Sequence, residues 1–418
     1  MDPVSPPPDS DRPSRLRWVM IGFAFLATVI NYLDRQTLSV VAPALREEFH
    51  MTNEAYGYVI SAFMLAYTIS NGISGPLLDR LGTRFGYALC MAVWSTAGLL
   101  TSLATGAWSL AGFRFLLGTG EAGNWPAAVK VVAEWFPARE RALASGIFNS
   151  GAAIGAILAP PLVTWLVLRY GWQSAFVVVG LSGYVWLVAW WFVYRTPENV
   201  RREVAARPAP PWRLLRTRFV SVLTLSKVFV DPVWYFYIFW FPQYLKSVHG
   251  FDLAKIGMTA WIPFVTADVG NLVGGWLTGR LIRRGVPTSH ARKAVVALFA
   301  FFMMAAIPAI LTKNVWVSVA FISVATFGYT GYNTNALAFP SDVFPKNMVA
   351  SVWGLASMGA GFGGMLFGWL SGWMIDRHGY TPVFIAYGIM PLVAVSLVLF
   401  ALGPLRALPE FQPREATG

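Results

Sequence analysis

The sequence predicts an all-α membrane protein of twelve transmembrane helices in two pseudo-symmetric six-helix bundles. It is 56% hydrophobic and only 12% charged, whereas soluble domains carry roughly 25% charged residues. Apolar runs of about 20 residues, enough to cross a bilayer, recur twelve times with short polar breaks. The stretches on either side of the longest polar break also resemble each other.

The runs fall at roughly 18–42, 56–78, 85–104, 108–131, 142–167, 174–194, 219–245, 255–282, 293–312, 315–340, 350–374 and 381–403. The first is too long for a secretory signal and carries Asp34-Arg35 inside it. No small-residue cleavage site follows, so it is expected as a retained span. Residues 1–17, rich in Pro and Asp, are expected as a disordered tail. The first six runs form an N-terminal bundle over 18–194. Residues 195–218, with seven arginines and four prolines, are expected as a cytoplasmic linker. The second six form a C-terminal bundle over 219–403, and 404–418 is a cytoplasmic tail.

Lys and Arg concentrate in cytoplasmic loops of membrane proteins. With both termini inside, cytoplasmic segments hold 22 of the 32 basic residues and outer loops hold six: Arg46, Arg169, Lys246, Lys255, Lys313 and Arg377. That distribution accounts for the net charge of +12 through anionic lipid headgroups, without nucleic acid. Cys90 is the single cysteine, so no disulfide or cysteine metal site can be built. The four histidines, His50, His249, His290 and His378, fall in expected loops, which argues against a metal centre or an intramembrane histidine relay. No nucleophile set or soluble output domain is visible, so neither an enzyme nor a cofactor is expected.

Gly75–Arg84 (GPLLDRLGTR) matches Gly275–Arg284 (GWLTGRLIRR) at an offset of 200. Phe136-Pro137 matches Phe344-Pro345 at an offset of 208, with Ala142/Ala350, Gly146/Gly354, Gly151/Gly359 and Gly155/Gly363 in step. Two halves related by a parallel repeat suit alternating access around a midplane site.

The segment Gly75–Arg84 resembles the major facilitator signature between spans two and three. The resemblance implies a gating latch of Asp79, Arg80 and Arg84, made in one state and broken in the other. Asn31-Tyr32-Leu33-Asp34-Arg35, Arg114 with Glu121-Ala122-Gly123, Glu134-Trp135-Phe136-Pro137 and Phe148-Asn149-Ser150 are similar to the anion:cation symporter branch. Asp231-Pro232-Val233-Trp234, Phe239-Trp240-Phe241-Pro242, Ala267-Asp268 and Ser341-Asp342-Val343-Phe344-Pro345-Lys346 look most like its hexuronate carriers. Galactonate-type members carry a Gln shortly after the FNS of span five and Asn in span eleven. Ala152, Ser357 and Gly361 stand there instead, which places aldonates second. The family also places Tyr32 and Tyr67 facing substrate.

Charged residues inside spans cost about 3 kcal/mol or more each and call for partners or functions. Arg35 and Arg114 lie at similar depth, and Glu121 follows Arg114 by seven residues, two helical turns. Asp34, Arg35, Arg114 and Glu121 are therefore expected as one cluster facing the central cavity. A guanidinium holds a carboxylate bidentately, which makes Arg35 the first candidate for an anionic substrate and Arg114 the second. Proton coupling then rests on Glu121 and Asp34, whose neighbouring arginines set their charge state. Lys227 and Asp231, spaced i, i+4, are expected either as an ion pair or, for Asp231 at an Asp-Pro break, as a cavity carboxylate; Asp268 is similar. Asn149, Trp234, Tyr235, Tyr332 and Asn333 are further candidates to grip a sugar ring.

The expected function is proton-coupled symport of a small organic anion, hexuronate first, by a monomer in the inner membrane whose partners are substrate, protons and lipid. Another carboxylate (aldonate, tartrate-like or monocarboxylate) is the alternative, then a drug:proton antiporter.

Overall fold

A computed structural model describes residues 15–136, 141–195, 211–344 and 346–406. Within them, helix caps and glycine turns mark out fifteen α-helices: α1 Leu16–Glu48, α2 Asn53–Thr101, α3 Ala107–Glu121, α4 Asn124–Trp135, α5 Arg141–Tyr170, α6 Trp172–Val193, α7 Pro211–Leu215, α8 Arg218–His249, α9 Leu253–Thr259, α10 Ile262–Arg283, α11 Thr288–Met303, α12 Ala306–Leu311, α13 Val315–Val343, α14 Lys346–His378 and α15 Tyr380–Ser396. A π-turn over Leu397–Ala401 extends the last. The side chains of Thr52, Thr217, Asp252 and Asn314 accept from backbone N–H groups at the starts of α2, α8, α9 and α13, satisfying donors that a helix leaves free.

Each of the twelve expected runs lies in a helix or a helix pair. Eight helical segments among the described residues are long and apolar enough to cross a membrane. Expectation and structure differ at the joints. α2 holds two spans joined at Gly82, whose φ of 74° and ψ of 159° suit glycine and strain other residues. The fourth span breaks between α3 and α4 immediately after Glu121, the eighth between α9 and α10, and the ninth between α11 and α12. α8 continues through Pro232 and Pro242 without interruption of the helix. His249, His290 and His378 lie at helix ends rather than in loops.

Packing repeats between halves. α1 packs on α5, the front of α2 on α3, and its back on α6; correspondingly α8 packs on α14, α10 on α13, and α11 with α12 on α15. Across the seam, α2 meets α14, α5 meets α9 and α10, and α1 meets α8.

The halves are clasped at the end bearing the α1–α2 and α8–α9 turns. There the Asp376 carboxylate on α14 accepts from the Asn53 and Glu54 backbone N–H groups at 3.0 and 2.6 Å. Arg377 pairs with Glu54 at 3.2 Å, and Lys246 pairs with Glu47. A Cβ at Gly57 would sit 2.9 Å from the Gly368 carbonyl oxygen, whereas at Gly72 and Gly75, near the Gly82 joint of α2, and at Gly354, near the start of α14, it would meet nothing within 4 Å. At that other end the polar contacts among the described residues stay within a half. Glu134 accepts from Thr83 and Tyr194, both at 2.6 Å, and Arg292 pairs with Asp342 at 2.5 Å.

Candidate functional site

Arg35 and Asp34 are consecutive on α1, so their side chains leave the helix about 100° apart. That geometry corrects the expectation that both face the central cavity. Asp34 turns into the N-terminal half, against Gly98, and is fully buried. Arg114 lies beside it: its Nη1 donates to the Asp34 carbonyl at 3.3 Å, and its guanidinium lies 5.0 Å from the Phe176 ring.

Arg35 points the other way, toward the seam. Its Nε donates to Glu121 Oε2 at 2.6 Å, with the side chains 4% and 0% exposed. The guanidinium sits 4.6, 5.3 and 5.5 Å from the rings of Tyr67, Phe63 and Tyr32. Such contacts contribute about 0.5–2 kcal/mol each and hold the fork in one orientation. Asn31 lies beside the Glu121 carboxylate. Glu121 is the last residue of α3, and Ala122 and Gly123 after it keep right-handed helical angles.

Pairing in this cluster is incomplete. Arg35 Nη2, Glu121 Oε1, both Asp34 carboxylate oxygens, and Arg114 Nε and Nη2 are buried without a hydrogen-bond partner among the described residues. Buried polar groups are normally satisfied, so this concentration of unmet donors and acceptors sets the cluster apart.

The C-terminal half presents a second network. Lys227 Nζ and Asp231 Oδ2 are 2.7 Å apart and almost fully buried, so these two residues form the ion pair that their spacing allows. Asp231 Oδ1 also accepts from Tyr329 Oη at 2.7 Å. Trp234 stacks on Tyr329 with ring centroids 5.1 Å apart, nearly parallel. Tyr332 is buried near Asp231. Tyr235 lies within charge range of Tyr67 and Arg35, and Asp268, half-buried, within range of Tyr32. The two halves thus bring Arg35, Glu121, Tyr32 and Tyr67 opposite Tyr235 and Asp268.

Two sequence candidates stand apart from this grouping. Asn149 is exposed on α5 and Asn333 is half-buried on α13. Its neighbour Asn335 is the one that bonds across helices, accepting from Thr278 at 2.5 Å and donating to the Gly274 carbonyl at 3.3 Å. Phe63 and Tyr329 were not singled out from sequence. The signal was a helical interval: Phe63 lies four residues before Tyr67 and Tyr329 three before Tyr332. Of the latch residues, the Asp79 side chain lies outside the described residues. Arg80 is exposed, and Arg84 Nη2 donates to the Trp191 carbonyl at 2.8 Å, tying α2 to α6 within one half.

The family model for the Major Facilitator Superfamily matches residues 24–289 and 288–417. The chain belongs to the major facilitator superfamily. This member is 34% identical to the hexuronate transporter of Escherichia coli (strain K12) over 403 residues, covering 92% of this chain and 93% of that protein. It is 36% identical to the galacturonate transporter of Dickeya chrysanthemi over 309 residues, covering 69% of this chain and 89% of that protein. Identity to the D-galactonate transporter of Escherichia coli O6:H1 is 28%, covering 96% and 99% of the two chains. Among solved structures, a bacterial homologue of the human lysosomal transporter Spinster, inward-facing and unoccupied, superposes with a TM-score of 0.70 at 21% identity, over 93% of this chain and 95% of that one. That likeness speaks to fold. The major facilitator chain described here is a multi-pass membrane transporter.

Proposed function

We propose that this protein takes up a hexuronate, glucuronate or galacturonate, together with protons, by alternating access. The observation that carries the proposal is the buried Arg35–Glu121 pair, boxed by Tyr67, Phe63 and Tyr32 and facing Tyr235 across the seam. A substrate carboxylate can take the Arg35 fork from Glu121, since a guanidinium binds carboxylates two-pronged and stays charged. Glu121, left buried without its cation, then takes up a proton, because a lone charge in a low-dielectric site is costly. Substrate and proton enter as a unit of unchanged local charge. Sugar-acid transport by the relatives supports the substrate class.

Asp34 and Arg114 serve in this scheme as the charge-balanced backing of α1, with Asp34 a second protonation site. Asp231, Tyr329, Trp234 and Tyr235 form the opposite wall, where stacked rings and hydrogen-bonding groups suit a hydroxylated ring. With both termini in the cytoplasm of a bacterial inner membrane, the clasped end faces outward and the structure is closed to the outside. Residues 18–194 and 219–403 would then rock as two bodies about the seam, with the 79–84 segment as the inner latch.

Thermal unfolding of the purified protein tests the substrate class. Galacturonate or glucuronate at 100 times its dissociation constant should stabilise it by about 2.7 kcal/mol, and the neutral parent hexoses should not. Equal stabilisation by galactose and galacturonate would refute the anion reading.

A further inference from the structure

Outside the central cluster, the tips of α1 and α8 border an open cleft of about 300 Å³, lined by Pro43, Arg46 and Glu47 from one half and Gln243, Lys246 and Ser247 from the other. The two linings are related by the internal repeat: Arg46 and Lys246 stand at the same offset of 200, near the ends of α1 and α8. The cleft therefore lies on the seam at the clasped end. Arg46 is eleven residues beyond Arg35, about 16 Å further along α1 at 1.5 Å per residue.

Its chemistry is specific. Arg46 Nε donates to the Met51 carbonyl at 3.2 Å, which fixes the guanidinium at the rim. Lys246 is a second cation, paired across the seam with Glu47. Gln243 is 3% exposed. Its Nε2 donates to Ser247 Oγ at 3.3 Å, while its Oε1 is buried with no donor among the described residues. Two cations ask for an anion, and an unmet buried carbonyl asks for an O–H. A ligand carrying both, in a volume at the lower end of small-molecule pockets, is a monosaccharide-sized hydroxy-carboxylate.

We propose that this cleft is an outer recruitment site at which a sugar acid docks before the halves part, its carboxylate taking Lys246 from Glu47 and its hydroxyl donating to Gln243. Because Lys246–Glu47 joins the two halves, occupancy loosens the clasp. The proposal rests on the sugar-acid reading of the central site and adds a second, weaker site for the same class.

Uptake of labelled galacturonate by intact cells tests it, with purified protein for equilibrium binding. The variants are Arg46→Gln/Lys246→Gln, Glu47→Gln and Arg35→Ala. Neutralising both cations should raise the uptake KM about threefold to tenfold, through lost local enrichment of the anion, and leave the tight equilibrium site unchanged. Glu47→Gln, which removes the clasp partner but keeps both cations, should not raise KM. A wild-type KM in the Arg46→Gln/Lys246→Gln variant would overturn the proposal. So would the same KM increase in Glu47→Gln, since that would reduce the cleft to a clasp. Wild-type binding by Arg35→Ala would count against the central assignment instead, so the two failures are distinguishable.

Discussion

Arg35 is held by one carboxylate and three aromatic rings, and that environment selects arginine over lysine. A lysine retains the charge but loses the planar fork and its stacking. Arg35→Lys should weaken galacturonate binding tenfold or more, measured by calorimetry. Wild-type affinity would move the substrate carboxylate elsewhere. Glu121→Gln keeps the shape of the pair while fixing the protonated state. The variant should still bind galacturonate, yet fail to accumulate it in proteoliposomes under an imposed pH gradient. Accumulation at the wild-type level would leave Asp34 as the coupling residue. Arg35 and Glu121 were legible in sequence because charge inside an apolar run is conspicuous. The direction of Asp34 was not, since it depends on helix phase relative to neighbours that the sequence does not place. Phe63 and Tyr329 were hidden for another reason: among 30 phenylalanines and 15 tyrosines, one aromatic in a span looks like any other.

At the scale of helices, joints are what hydropathy does not show. α3 stops at Glu121 and α4 starts at Asn124, with Ala122 and Gly123 between them still in right-handed helical angles. The twelve runs were countable from hydropathy, whereas the joints in the fourth, eighth and ninth spans were not, because apolar composition continues through them. The clasp depends on another helix feature. Asp376 caps the first N–H groups of α2 from the opposite half, where a carboxylate also meets the positive end of the helix dipole. A capping interaction contributes about 1 kcal/mol, so Asp376→Ala should shift the closed-to-open ratio at this end about fivefold toward open. Distances between spin labels on the α1–α2 and α8–α9 turns would report that shift. An unchanged distribution would mean that Asp376 is not part of the clasp.

For the whole molecule, the repeat seen between GPLLDRLGTR and GWLTGRLIRR is realised as matched packing: α1 on α5 beside α8 on α14, and α2 on α3 beside α10 on α13. The seam sets the Arg35 side against the Tyr235 side, and the clasp closes one end of it. Sequence showed that two halves exist; which end is joined depends on contacts such as Glu54–Arg377 that lie 323 residues apart. The central claim is that substrate displaces Glu121 from Arg35 and that Glu121 then binds a proton. Calorimetric titration of galacturonate in buffers of different ionisation enthalpy measures this directly, as protons taken up per ligand bound. The account predicts uptake of close to one proton by the wild-type protein, binding that tightens as pH falls, and no uptake by Glu121→Gln. Galacturonate binding to the wild-type protein with no proton exchange would contradict it.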